Sequence, residues 1–527
     1  KRESMIDFDL HFWSWFFLSI YLLAMLGFGY LGMSRVANSD DFATARGSYG
    51  PIFLAFAVVA TTASGGTFIG LPALAYQAGF SALWYAFVYP VAVYIGIIVC
   101  LKGIRKAGDS FGNRSIPEYL GDRFESDTLR VLVAIFSMLL LFYLAGQLLA
   151  GAVMFNEMMG VDIMTALLLT STIIILYLLM GGAHADILTD GVQGALMLLL
   201  AVFVGYMFLT GFGVVGGYSG MVETLEALDP DLVKTLHPTH PVLNSWWDVF
   251  AVFVAHAPLG LLPHIGNKLW ALKGNRDQVK FVIFAFAFGM ILPCLALGGL
   301  LARAVLGDSL LAEGASANYA IPALFIATLP AWLAALIGAG VLAAIMSTAD
   351  GLVLSTSQIF ANDIYRRTIV PRLKVQPSDE DVDSMALKLS RIAMALVMVG
   401  SVWLAWEFQG MNVALLIVSG VGGMLGAICG PIYAGILWRG ATKEGAIFGF
   451  LAGGIVFIVL KAQLLPSIWF ENTLVEVPAM WLLSQHSNAF SCSTIGALSS
   501  VTGVVIVSLF TQKPSDKHLA RLFGEQT

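Results

Sequence analysis

Two short stretches concentrate oxygen in an otherwise apolar chain. Ala60-Thr-Thr-Ala-Ser-Gly-Gly-Thr67 is polar and glycine-bearing, and Ala343-Ala-Ile-Met-Ser347-Thr348-Ala-Asp350 sets two hydroxyls side by side. Hydroxyls inside a helix commonly bond back to the preceding turn. Where glycine lets a helix break, carbonyls come free instead. Freed carbonyls and two adjacent hydroxyls would make a weak all-oxygen site suited to a small hard cation. A third stretch, His256-Ala-Pro-Leu-Gly260 followed by Pro263-His264, joins two imidazoles to two helix-breaking prolines. The His256 imidazole could hydrogen-bond a solute carboxylate, or it could donate to a freed carbonyl and hold a kink. Thr62, Ser64 and Thr67 are further candidates for one solute pocket. Enzyme chemistry has little support: there is no His-Glu-x-x-His, and the apolar stretches offer almost no cluster of His, Asp or Glu. Cys100, Cys294, Cys429 and Cys492 lack metal-ligand or redox spacing and read as small apolar packing residues.

The elements that position these residues follow from composition. Of 527 residues 58% are hydrophobic and 12% charged, against about 25% charged in a soluble domain. Such a chain cannot cover a water-facing surface and must present apolar side chains to lipid. No basic tract suits nucleic acid. A span needs about 20 apolar residues. Thirteen such runs are read, near 8–33, 50–77, 81–102, 130–156, 162–181, 187–212, 247–271, 279–306, 328–358, 388–406, 412–438, 445–463 and 490–511. The first is too long for a signal peptide's apolar region and lacks a small-residue cleavage site. With the N-terminus outside and the C-terminus in the cytoplasm, 23 Lys and Arg fall in inner segments and 5 in outer ones, as positive loops stay cytoplasmic. The expectation is an all-α, multi-pass protein of the bacterial inner membrane.

Both breaks occur at matching places. The second run carries the 60–67 stretch and the seventh carries 256–264. If runs 2–6 and 7–11 are five-helix units of opposite direction, each unit begins with its broken helix. Paired interrupted spans in two halves point to a transporter's binding site; ordinary kinks that ease packing are the alternative. The expected organisation is 1–49, first span and inner loop; 50–212, first unit; 213–246, outer loop with a short helix; 247–438, inverted second unit; 439–511, two further spans; and 512–527, cytoplasmic tail.

At these residues the chain resembles the sodium:solute symporter family (solute carrier 5-like), over about residues 10 to 510. The motifs are Ala60 to Pro72; Gly181-Gly-Ala-His-Ala-Asp-Ile-Leu-Thr-Asp190-Gly-Val-Gln193; Leu262-Pro-His264 with Lys268 four residues on; Ala344-Ile-Met-Ser-Thr348 followed by Asn362-Asp-Ile-Tyr365; and Gly445-Ala446 after a basic turn, in which Arg439 stands one place early. The resemblance implies a five-plus-five inverted-repeat, LeuT-like fold and alternating access driven by sodium. It implies a Na+ site made of the backbone carbonyls of Ala60, Ala63 and Ala344 and the hydroxyls of Ser347 and Thr348. Asp190 matches a family aspartate near that site; as Thr189-Asp190 opens an apolar run, a helix cap is its other reading. A hydroxyl that some members use for a second sodium is absent at Ala344, which implies one sodium per cycle. Thr62 stands where proline carriers have an aspartate, and Ala255 and Leu259 where they have aromatics, which argues against proline. Gly216 to Val233 looks most like the pantothenate and organic-acid branch.

The reading is therefore a secondary active transporter performing sodium-coupled uptake of a small organic solute, a carboxylate such as pantothenate or a monocarboxylate. It is not an enzyme and needs no obligate protein partner. A proton-coupled carrier of the same fold, using Asp190 and His256, and a transporter-like solute sensor are the alternatives.

Overall fold

The computed structural model describes residues 2–523; Lys1 and the last four residues of the expected 512–527 tail lie outside them. Among the described residues every regular element is helical, apart from one bridge between Tyr49 and Leu272. Ten helices are long and apolar enough to cross a membrane, or eleven if the bent pair Trp246–Leu261 and Pro263–Ala271 counts as one span.

These long helices are fewer than the thirteen apolar runs because some runs are cut short and others follow one another without a loop. The second run is cut: Pro51–Thr62 ends after 12 residues, Ala63 takes φ −88° and ψ 84°, and the helix resumes at Gly66. Its outer half then continues through a tight turn at Gly79 into Ala82–Phe111. Gly79 has φ +64°, and a Cβ there would lie 2.0 Å from the Leu232 carbonyl oxygen, so only glycine fits. The fifth and sixth runs are not separated by a loop. They are two helices joined end to end within Ile163–Thr210, and the chain turns between them at Gly182, whose φ of 50° and ψ of −135° are not helical.

The seventh run is broken as its prolines predict. Ser245 and Asp248 form a capping box that starts Trp246–His256. After a 3-10 turn the chain re-enters at Pro263 on an axis bent by 49°. Against these two broken segments lie the long helix Ala331–Gln358 and the two joined helices of Ile163–Thr210. Val413–Leu437 is largely buried. Glycines spaced by four let it approach its neighbours closely: a Cβ on Gly453 would lie 2.5 Å from the Gly426 carbonyl oxygen, and one on Gly430 2.6 Å from that of Ser500. The periphery is apolar and exposed, with Phe8, Leu23, Leu199 and Val399 about 70% exposed, as a lipid-facing surface requires.

Candidate functional site

The break at residues 63–65 faces the hydroxyl pair of Ala331–Gln358. Ser347 Oγ lies 2.9 Å from the Ala60 carbonyl oxygen and 2.7 Å from that of Ala344. Thr348 Oγ1 lies 3.0 Å from the Thr61 carbonyl oxygen and 3.5 Å from that of Ala60. Ala60, Ala63, Ala344, Ser347 and Thr348 are all buried. The structure thus gathers two hydroxyl oxygens and the Ala60 and Ala344 carbonyls within hydrogen-bond reach, with Ala63 at the point where the helical ladder stops. This oxygen-only donor set, without a carboxylate, fits a monovalent hard cation. A bound ion would take the lone pairs of hydroxyls that now donate to those carbonyls.

One side of this constellation is acidic. Lys268 ion-pairs with Asp190, lies 2.9 Å from Asp186 Oδ2, and donates to Thr61 Oγ1 at 2.6 Å. Thr61 Oγ1 in turn lies 2.7 Å from Asp190 Oδ2. One oxygen from each of Asp186, Asp190 and Asp350 falls within 4.8 Å of the others, and all three residues are buried. The expectation that the spans hold almost no acidic cluster is therefore corrected. Lys268, placed in an inner loop by the charge count, is 4% exposed. Asp190 is not a helix cap, because the Gly182 kink leaves it well inside Ile163–Thr210. Asp186 and Asp190 stand four residues apart on one helix, but Lys268 and Asp350 reach them only through the fold. Its signal was the presence of Asp186, Lys268 and Asp350 in stretches already notable for other residues.

Between the two broken helices lies a cavity of about 30 Å³. Thr62, Ser64, Thr67 and His256, the four solute candidates, all line it, so the structure brings them together. Three tyrosines join them, Tyr85, Tyr89 and Tyr143, and an apolar wall of Ile417, Val418 and Val421 closes the other side. Sequence reasoning missed the tyrosines, although Tyr85 and Tyr89 share one helix face at a spacing of four. It also missed Gln147, whose Oε1 accepts from the Gly65 N–H at 2.6 Å and so stabilises the break. His256 does not point both nitrogens into the cavity: Nδ1 lies 2.7 Å from the Val252 carbonyl oxygen and donates to it. The volume admits a water or two and no organic solute, so the pocket must widen to take one.

Comparison with known proteins covers nearly the whole chain. Residues 42–453 fit the family model described as "Sodium:solute symporter family". The sodium/pantothenate symporter of Escherichia coli (strain K12) is 26% identical, over 90% of this chain and 96% of its own length. The high-affinity proline transporter PutP of Bacillus subtilis (strain 168) is 26% identical, over 93% and 97%. Among solved structures, a Na+-coupled sialic acid symporter in a substrate-bound outward-open state has a TM-score of 0.75 at 23% identity, covering 96% of this chain and 99% of that one.

Proposed function

The chain belongs to the sodium:solute symporter family, and on that premise we propose that it carries a small organic carboxylate into the cell together with sodium, by alternating access. As a member it is a sodium-coupled, multi-pass membrane transporter and not an enzyme. One observation carries the finer reading: the Ser347 hydroxyl abuts the Ala60 and Ala344 carbonyls at the helix break, beside the cavity. Sodium held by Ala60, Ala63, Ala344, Ser347 and Thr348 bridges the broken span to Ala331–Gln358 and favours the outward-open form. Solute then enters between the two breaks, the outer side closes and the inner side opens. The N-terminus lies outside, the tail lies in the cytoplasm, and 50–212 and 247–438 are the inverted units. Relatives of the pantothenate type support a carboxylate. Inside-negative potential adds about 2.3 kcal/mol per charge per 100 mV to the inward drive.

The test is uptake into proteoliposomes of labelled pantothenate, pyruvate, lactate, acetate, proline and glucose, with and without an inward sodium gradient. The double variant Ser347→Ala with Thr348→Ala accompanies it. We expect sodium-dependent accumulation of a carboxylate, with the variant's sodium requirement raised far more than its solute requirement. Accumulation indifferent to sodium would sink the proposal, as would a variant whose sodium affinity is unchanged.

A further inference from the structure

The cavity between the breaks carries a directional constraint that its residue types do not reveal. The His256 ring is 3% exposed. It packs against the rings of Tyr85, Tyr89 and Phe490 at centroid distances of 5.4, 5.5 and 5.3 Å. Its Nδ1 bonds the Val252 carbonyl, and a carbonyl oxygen only accepts, so Nδ1 carries the proton. Among the described residues no Asp, Glu, Lys or Arg lines the cavity. A second proton on the ring would be an unpaired charge at membrane depth. The imidazole is therefore neutral, and Nε2 presents a lone pair.

The other polar groups do not satisfy that lone pair. Thr62 donates to the Val59 carbonyl at 2.9 Å, which makes Tyr94 the donor in its 3.0 Å bond to Thr62. Tyr89 and Thr67 share one bond at 2.9 Å. Among the described residues nothing donates to Nε2, and the Tyr85 hydroxyl has no partner. The pocket thus offers a free acceptor and a free donor on rings in contact, with no fixed charge.

We infer that the solute donates a hydrogen bond to His256 Nε2 from a hydroxyl or amide N–H, and that His256 selects for that group. This rests on reading the cavity as the solute pocket. It narrows the substrate class to carboxylates that also carry a donor. Acetate, pyruvate and other bare monocarboxylates are excluded, because they would bury Nε2 without a partner. Imidazole donation to the solute carboxylate is excluded as well, because the donating nitrogen is spent on Val252. A site built to bond a hydroxyl or N–H rejects the analogue lacking it far more strongly than a site that differs by one methylene.

The experiment uses the full chain in detergent with saturating sodium and reads the ligand-induced rise in melting temperature. The probes are matched pairs: lactate with propionate, 3-hydroxybutyrate with butyrate, and N-acetyl-β-alanine with 5-oxohexanoate, in which a methylene replaces the N–H. In the wild type we expect the donor-bearing member of at least one pair to act at about 10⁴-fold lower concentration than its partner. In His256→Phe that ratio falls to about one. His256→Gln, whose side-chain oxygen accepts, keeps a preference. Equal action by both members of every pair overturns the inference, as does a preference that survives in His256→Phe, or no effect from any probe. Sodium alone reports separately on the parent reading. Stabilisation of all three proteins shows them folded with the ion site intact. Its absence from the wild type defeats sodium symport, and this inference with it.

Discussion

At the scale of single residues, Lys268 joins the ion site to the acidic cluster. Its ammonium donates to the Thr61 hydroxyl at 2.6 Å, and the Thr61 carbonyl accepts from Thr348, one of the proposed sodium ligands, at 3.0 Å. Removing one partner from a buried ion pair costs about 3–5 kcal/mol, since the remaining charges stay buried. Lys268→Met should therefore lower the melting temperature and shift sodium stabilisation to higher concentration, whereas Lys268→Arg should restore both. A Met variant with wild-type sodium dependence would refute the link. Sequence types pointed to Ser347, Thr348 and Asp190, because hydroxyls and an acid in apolar runs stand out. Asp186 and Lys268 stood in quoted motifs without a role, because the partners lie 82 positions apart and nothing local announces their contact. His256 shows the complementary limit: its residue type suggested a bond to a solute carboxylate or donation to a backbone carbonyl, and the direction of Nδ1 toward the Val252 carbonyl leaves Nε2 as an acceptor.

At the scale of elements, the two breaks were legible from glycine and proline, and the junction at Gly182 falls between the apolar runs 162–181 and 187–212. Gly181-Gly182 reads as the gap before a new helix, and in the structure that gap is a single residue, Gly182, at φ 50°. That residue aims the following turn, and so Asp186 and Asp190, at Lys268. A Cβ on Gly182 would lie 2.6 Å from both the ring and the carbonyl oxygen of Phe42. Gly182→Ala should thus destabilise by about 1–3 kcal/mol from backbone strain alone, with the clash added. The check is a melting curve of the purified variant, read alongside its sodium response. An unchanged curve would mean that the kink is not needed. The same geometry explains the span count. Two helices meet at Gly182 with no loop between them, and the helix that ends at Thr62 resumes at Gly66, so a count of unbroken long helices differs from a count of apolar runs.

At the scale of the whole molecule, contacts tie the end of the 331–372 segment to the helix Ile116–Arg123, on the face that the proposed orientation puts in the cytoplasm. Arg367 bonds Glu118 at 3.2 Å and Asp122 at 2.9 Å, and Ser115 Oγ donates to Asp363 at 2.8 Å. Burial pushes the Asp122 carboxyl above its usual range, opposed by Arg367. Within the same 331–372 segment, Ser355 lines a cavity of about 20 Å³ with Asp186 and His264. If sodium favours the outward-open form, it should keep this cavity shut. A Ser355→Cys variant without the four native cysteines should then react with a membrane-impermeant thiol reagent only from the cytoplasmic side, and more slowly in sodium. Adding Arg367→Ala removes both ion pairs and should speed that reaction several-fold without opening a route from outside. The direction of access also tests the orientation deduced from 23 inner and 5 outer basic residues. Reaction from the outer face alone would invert that topology. Reaction at one rate with and without sodium would detach the ion from the gate, and leave alternating access in this chain to be driven by the solute.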